Sequence, residues 1–177
     1  MKAQWGFLRD CRGAAAAEFA LVLPLLAYIF LNVADLSLYL WSKMQVDLAA
    51  QEAVGSARAL CDGTTAAKAI PATTGCTSLS TTMTSAAQST SLGSTVTLGT
   101  AGEAWYCTTS AGALTQVAAV GVTPPTDCSA TLTGSTVAPG DYISITASHT
   151  YNPIFPSATI AAALPSPITS TAWMRLK

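Results

Sequence analysis

The sequence is poor in charged residues and in histidine, and these shortages limit the functions that it can support. Charged residues make up 10% of the chain, against about a quarter in an average soluble domain, and His149 is the single histidine. Nucleophile elbow, P-loop, dinucleotide fingerprint and H-E-x-x-H motifs are all missing. Basic residues do not outnumber acidic ones, so no basic face for nucleic acid is expected. We therefore expect a protein that is not an enzyme, needs no cofactor and has no nucleic-acid partner.

What the chain does have is one long apolar segment near its start. Phe19 to Leu31 is apolar throughout apart from the Tyr28 hydroxyl, and with its flanks the segment exceeds the roughly 20 residues that span a bilayer. Only Pro24 would disturb a helix between Ala14 and Leu60. We predict a single helix of about 47 residues, transmembrane over residues 14–41 and extracytoplasmic over residues 42–61.

A carboxylate, Glu18, lies inside the start of this segment. A charge at hydrocarbon depth costs roughly 2.5 to 3.5 kcal/mol, so an acidic residue placed there indicates a functional site. Residues 1–13 form a short basic leader in which Lys2, Arg9 and Arg12 oppose the single acid Asp10. A role at the interface, where the carboxylate would favour the positive end of the helix dipole, is the simpler alternative for Glu18.

Residues 12–24 read Arg-Gly-Ala-Ala-Ala-Ala-Glu-Phe-Ala-Leu-Val-Leu-Pro. This stretch resembles the class III signal peptide of the TadE-like pseudopilins, minor pilins of the tight-adherence (Tad, or Flp) pilus system, with looser similarity to about residue 60. The resemblance implies cleavage by a prepilin peptidase between Gly13 and Ala14, and a part for Glu18 and Phe19 in recognition and assembly. The family often has valine before the glutamate and a glutamate later in the helix, where this chain has Ala17 and Asp35.

The same resemblance implies a function and a location. The protein would be a pseudopilin that helps to assemble or initiate a Tad pilus, a structure used in adhesion, and its partners would be the prepilin peptidase, other pilins and pseudopilins, the inner-membrane assembly platform and membrane lipid. It would cross the bacterial inner membrane once, with its C-terminal domain in the periplasm and with the pilus or the cell surface as further destinations. Position within the fibre, adhesive target and N-terminal methylation are left open.

Cysteine usage fits a domain outside the cytoplasm. Removal of the leader would take away Cys11 and leave Cys61, Cys76, Cys107 and Cys128. An even set in a translocated domain predicts two disulfides, in any of three connectivities. Pairing neighbours in sequence closes the shortest loops, which favours Cys61 with Cys76 and Cys107 with Cys128. Zinc is the competing use, but no C-x-x-C pair occurs, so we expect no metal site.

Residues 62–177 are expected to form an extracytoplasmic head rich in serine and threonine. One short helix is predicted near residues 79–88, a helical turn at residues 158–164, and a hairpin turn at residues 109–112. Alternating or β-branched patterns predict five strands, at residues 94–98, 104–108, 114–120, 142–151 and 168–176. The fold class is therefore α+β: a long N-terminal transmembrane helix that continues into a small, disulfide-bonded, pilin-like antiparallel sheet.

Two other functions remain open at this point. In one, the leader is never cut and the protein is a single-pass envelope protein with an extracytoplasmic binding domain. In the other, the chain is a secreted hydrolase released after Leu31, although Asn32-Val-Ala34 is a poor cleavage site. The N-terminal residue of the protein extracted from membranes distinguishes all three.

Overall fold

The computed structural model describes residues 12–61, 70–157 and 159–177, with side chains from Ala16 onward. Helix α1 covers Arg12–Leu60 and continues without interruption through Pro24. It ends where the N–H of Cys61 donates to the carbonyl oxygen of Ala57 at 2.8 Å. The single long helix expected from the sequence is therefore present, and the leader residues 1–11, with Cys11, lie outside the described residues.

The chain divides into two compact units. The helix unit contains α1 up to Leu40 together with Asn152–Pro165, and the head unit contains Trp41–Tyr151 and Ser166–Lys177. The domain limits drawn from the sequence, at residues 41 and 61, mark an expected exit from the membrane and stay predictions.

The head unit contains an antiparallel sheet of five strands. These are β1 Thr97–Leu98, β2 Gly102–Thr108, β3 Leu114–Ala119, β4 Gly140–His149 and β5 Ile168–Arg175. Strand β4 is central: β2 pairs with its first half and β1 with its end, while β5 pairs with it from Tyr142 to His149. Strand β3 pairs with β2 alone through the hairpin that the sequence predicted, where Gly112 has a φ of +78°. The α+β fold class is confirmed.

Three short helical elements precede the first strand of the head. Helix α2 covers Ala72–Gly75, which the sequence did not predict, and α3 covers Leu79–Ala87, close to the expected range. A 3₁₀ turn at Gly93–Thr95, closed by the N–H of Val96 donating to the carbonyl oxygen of Gly93 at 3.2 Å, takes up the beginning of the first predicted strand. Strand β1 is therefore only two residues long.

The core of the head unit combines a helix stripe with one face of the sheet. In α1 the buried residues recur at helical spacing and are mostly small: Val46, Ala49, Ala50, Ala53, Val54 and Ala57. In β4, Ile143, Ile145 and Ala147 are buried and alternate with more exposed residues. Tyr151 is buried in this core, whereas Trp173 is not part of it. Trp173 alternates onto the outer face of β5, where it is 46% exposed and packs edge-on against Tyr106.

Candidate functional site in the N-terminal helix

The expected cleavage site lies in helical backbone. Gly13 and Ala14 belong to the first turn of α1, and Glu18 follows Ala14 by four residues, which places the two on the same helix face. Both Glu18 and Phe19 are exposed, and Phe19 exposes 61% of its surface. The helix therefore presents the carboxylate and the aromatic ring outward, where another molecule can reach them. Cleavage at Gly13 and the roles of Glu18 and Phe19 stay predictions.

The surface of α1 between Phe19 and Leu40 is apolar and largely exposed. By length and composition, α1 could cross a membrane. An 18-residue stretch of it has a mean hydropathy of 2.0, and only 6% of that stretch is buried. Leu21, Leu25 and Phe30 are examples of large apolar side chains in contact with nothing in the described chain over most of their surface. A helix inside a soluble core would be covered, so this exposure indicates membrane anchoring.

One polar residue in this apolar region is fully buried. Asp35 exposes 0% of its surface and lies under Asn152–Pro165, which we call the strap. Its Oδ1 accepts the backbone N–H of Ile154 at 3.0 Å. Its Oδ2 accepts the N–H of Phe155 at 3.1 Å and the hydroxyl of Thr159 at 2.7 Å. A buried carboxylate needs such donors to offset the loss of water, and the strap supplies three.

Two further residues of α1 bind the strap on either side of Asp35. One turn earlier, the Asn32 side chain accepts the N–H of Ile160 at 2.9 Å and donates to the carbonyl oxygen of Tyr28 at 2.8 Å. One turn later, the Tyr39 hydroxyl lies 3.3 Å from the carbonyl oxygen of Pro165. Asn32, Asp35 and Tyr39 are spaced by three and four residues, so they form one polar stripe along the helix.

The polar stripe was not predicted as a site from the sequence. Asp35 stood out there only as a departure from the TadE-like pattern. A signal was present: Asp35 lies seven residues before Ser42 and eleven before Val46, both of which are buried, so helical periodicity puts it on the buried face. No local pattern identifies the strap as the segment that covers it.

The structure contains the two disulfides that the sequence favoured. Cys61 is bonded to Cys76 across 15 residues, with a Cα–Cα distance of 5.8 Å, and Cys107 to Cys128 across 21 residues, with 5.6 Å. The first bond joins the end of α1 to the segment after α2. The second joins the end region of β2 to the loop before β4. Both bonds therefore tie long connections to regular elements of the head.

Two carboxylates lie close together in the sheet. Glu103 on β2 accepts the backbone N–H groups of Ala72 and Thr73, both at 2.6 Å, so it caps helix α2. Asp141 on β4 is 2% exposed, and its Oδ2 has no hydrogen-bond partner among the described residues. Burial, together with the neighbouring Glu103 charge, raises the pKa of Asp141 to about 7, while Lys177 acts in the opposite direction.

The cavities described in the head are small or lined by residues without ionisable groups suited to catalysis or metal binding. One of about 240 Å³ lies beside the Cys107–Cys128 bond and is smaller than a usual ligand pocket. Another of about 470 Å³ is lined by threonine, serine, alanine, glycine, leucine and a bonded cysteine. Among the described residues no group of three or more His, Cys, Asp or Glu side chains is placed to hold a metal ion. His149 is half-buried, with its Nδ1 3.4 Å from the carbonyl oxygen of Thr95, as a packing residue would be.

Comparison with known proteins finds a family similarity in the N-terminal helix, α1. The family model described as TadE-like protein matches residues 13–54, a stretch that contains Gly13, Ala14, Glu18 and Phe19 and most of α1. No curated protein and no solved structure matches the chain significantly. The resemblance seen in the sequence is thereby confirmed over residues 13–54, and residues 55–177 lie outside the match. Over residues 13–54 the chain is therefore similar to the TadE-like family.

Proposed function

We propose that this protein is a pseudopilin that helps to assemble or initiate a Tad pilus and carries out no catalytic step of its own. The observation that carries the proposal is the family match over residues 13–54, because it begins at the glycine expected before the cleavage site. The exposed apolar surface of α1 supports a role as a membrane anchor. In this proposal the anchor crosses the inner membrane and the disulfide-bonded head lies in the periplasm.

Processing comes first in the proposed sequence of events. A prepilin peptidase removes residues 1–13 and leaves an α-amine on Ala14. Three of the eight basic residues and one of the nine acidic ones lie in that leader, so five basic and eight acidic residues remain. The mature protein then keeps no basic side chain before Lys43, and the α-amine is the positive group nearest to Glu18 in sequence.

Pairing between subunits follows from that amine. An amine and a carboxylate 4 Å apart attract each other by about 4 kcal/mol at an effective dielectric constant near 20. This attraction is comparable to the roughly 2.5 to 3.5 kcal/mol that a lone charge costs at hydrocarbon depth. Glu18 of one subunit therefore gains by meeting the Ala14 amine of a neighbouring pilin, and the pairing sets the axial register of the two helices. The assembly platform would act on such paired subunits.

The N-terminal residue of the protein extracted from membranes tests this proposal. Sequencing should find Ala14 first in the wild type and Met1 in Gly13→Val, since a peptidase that holds the residue before the cut closely will not accept a branched side chain. Gly55→Ala is the matched control, because it replaces a glycine of the same helix where a Cβ meets nothing within 4 Å, and it should be cleaved normally. A wild-type chain that begins at Met1 would instead support an uncut envelope protein, and one that begins after residue 31 a secreted protein.

A further inference from the structure

We propose that the strap, Asn152–Pro165, dips into the outer leaflet of the membrane beside α1 and forms a second membrane contact, made of irregular backbone and a 3₁₀ turn at Ile160–Ala163. Asp35 and Asn32 make this possible by accepting backbone N–H groups of the strap. The proposal rests on the membrane anchoring of α1, but it does not depend on any role in pilus assembly.

The first argument is depth. If the hydrocarbon layer begins beside Glu18, a layer about 30 Å thick ends about 20 residues later, near Leu38. Asn32, which binds Ile160 of the strap, then lies about 9 Å inside the outer boundary, and Asp35 lies about 4.5 Å inside. Tyr39, whose hydroxyl is hydrogen-bonded to the carbonyl oxygen of Pro165, lies at the outer boundary of the hydrocarbon layer, where tyrosine is favoured. The strap therefore enters beside Tyr39 and reaches its greatest depth at Ile160.

The second argument is composition. From Thr150 to Met174 the sequence contains no Asp, Glu, Lys or Arg. Ile154 and Ile160 expose 59% and 58% of their surface, and Phe155 is also exposed. These side chains lie in the same unit as the exposed apolar residues of α1. Lipid suits both surfaces, whereas an aqueous periplasm would leave them hydrated at a cost.

The third argument is the hydrogen bonding of the strap. Irregular backbone is tolerated at membrane depth only where its polar groups are satisfied by protein. Three of the fourteen strap residues are prolines, Pro153, Pro156 and Pro165, and have no N–H to satisfy. The N–H groups of Ile154 and Phe155 bind Asp35, and that of Ile160 binds Asn32.

Two further N–H groups of the strap bind within it. The N–H of Thr159 donates to the carbonyl oxygen of Phe155 at 3.1 Å, and the N–H of Leu164 to that of Ala161 at 3.2 Å. The strap also covers the Asp35 carboxylate completely, so that no lipid meets a bare charge. Contact of the strap with lipid thus explains both the burial of Asp35 and the apolar outer surface of the strap.

Photocrosslinking of the full chain in vesicles tests the proposal. A benzophenone amino acid is placed singly at Ile160, at Phe30 of α1 or at Val137 of the head, and vesicles are made from phosphatidylethanolamine and phosphatidylglycerol. Phe30 and Val137 are 70% and 64% exposed and serve as the lipid and water references. After irradiation, mass spectrometry should find phospholipid adducts at Ile160 in an amount similar to Phe30, and only background at Val137.

Each other outcome has a defined meaning. Adducts at Phe30 without adducts at Ile160 would overturn the strap proposal and leave the anchor intact, whereas no adducts at Phe30 would show that α1 itself does not enter the bilayer. A crosslinked dimer in place of a lipid adduct at Ile160 would overturn the proposal in favour of contact with a second copy. Asp35→Ala should lower the lipid adducts at Ile160 and not those at Phe30, and unchanged adducts at Ile160 would refute the role given to Asp35.

Discussion

The carboxylate of Asp35 accepts the backbone N–H of Ile154 at 3.0 Å, although 119 residues separate the two in sequence. With the bonds to Phe155 and Thr159, this contact ties the strap to the N-terminal helix. An apolar helix surface on its own has no preference among partners. The buried carboxylate adds that preference, because only a segment with free donors at the right spacing can satisfy it.

Replacing Asp35 should loosen the strap without unfolding the head. In Asp35→Ala the N–H groups of Ile154 and Phe155 lose their acceptor, so we expect their amide hydrogens to exchange about 5- to 30-fold faster, as a loss of about 1 to 2 kcal/mol implies. Asp35→Asn keeps one acceptor oxygen and should fall between the wild type and Asp35→Ala. Hydrogen exchange measured by mass spectrometry in detergent micelles provides the readout. Equal exchange in all three proteins would contradict the hydrogen bonds described here.

Glu18→Ala should be cleaved and inserted normally but should fail in pilus assembly. The substitution lowers the insertion cost and leaves the Ala14 amine of a neighbouring subunit without its partner. The measurements are the number of surface pili and the recovery of pilin partners by affinity purification. Glu52→Ala, which removes an exposed acid from the same helix in the head unit, is the control and should assemble. Wild-type pili in a strain with Glu18→Ala alone would refute the assembly role of Glu18.

Loss of the Cys61–Cys76 bond should destabilise the head and leave cleavage at Gly13 unaffected. A disulfide that closes a loop of about 15 residues contributes about 3 kcal/mol in the chain-entropy model, so Cys61→Ser with Cys76→Ser should lower the free energy of unfolding by that amount. Urea unfolding followed by circular dichroism measures the change. Mass mapping of the non-reduced wild type checks the pairing, and a peptide that joins Cys61 to Cys107 would show it to be wrong.

Asp141 should make the head less stable as the pH rises. Its pKa is raised from 3.8 to about 7 in the folded protein, so between these values the folded state holds a proton that the unfolded state has lost. Stability therefore falls from about pH 4 to about pH 7 and is level above. Asp141→Asn removes this charge and should stabilise the head by about 2 kcal/mol at pH 8, after allowance for screening, with little effect at pH 4.

Asp127 is the control, because its pKa is shifted in the direction opposite to that of Asp141. Hydrogen bonds from the side chain and backbone of Ser129 lower the pKa of Asp127, so the stability that it contributes is present above its ordinary value of 3.8 and is lost as the pH falls through the lower folded pKa. Asp127→Asn should therefore destabilise the head at pH 8 and have less effect at low pH. Thermal unfolding at about pH 2, 4, 6 and 8 compares both variants with the wild type. Asp141→Asn that is less stable than the wild type at pH 8 would contradict the raised pKa.

The sequence by itself determined most of the regular elements and the similarity of the N-terminal helix to the TadE-like family. Helix α1 and all five strands follow from local periodicity, because a 3.6-residue or two-residue repeat of apolar side chains needs no knowledge of the partner that covers it. The motif around Gly13 and Glu18 is contiguous, so the order of its residues is enough to recognise it. The disulfide pairing was also accessible, since both bonds join cysteines that are neighbours in sequence.

Only the tertiary structure decided which distant segments meet. The strap reads as a proline-rich loop, and nothing local connects Ile154 to Asp35 or Ile160 to Asn32. Helix α2 is only four residues long, and the carboxylate that caps it belongs to Glu103, some 30 residues away along the chain. The high pKa of Asp141 likewise arises from burial and from a neighbour on another strand. These properties depend on long-range contacts, which the packing of the whole chain selects and which leave no local periodicity in the sequence.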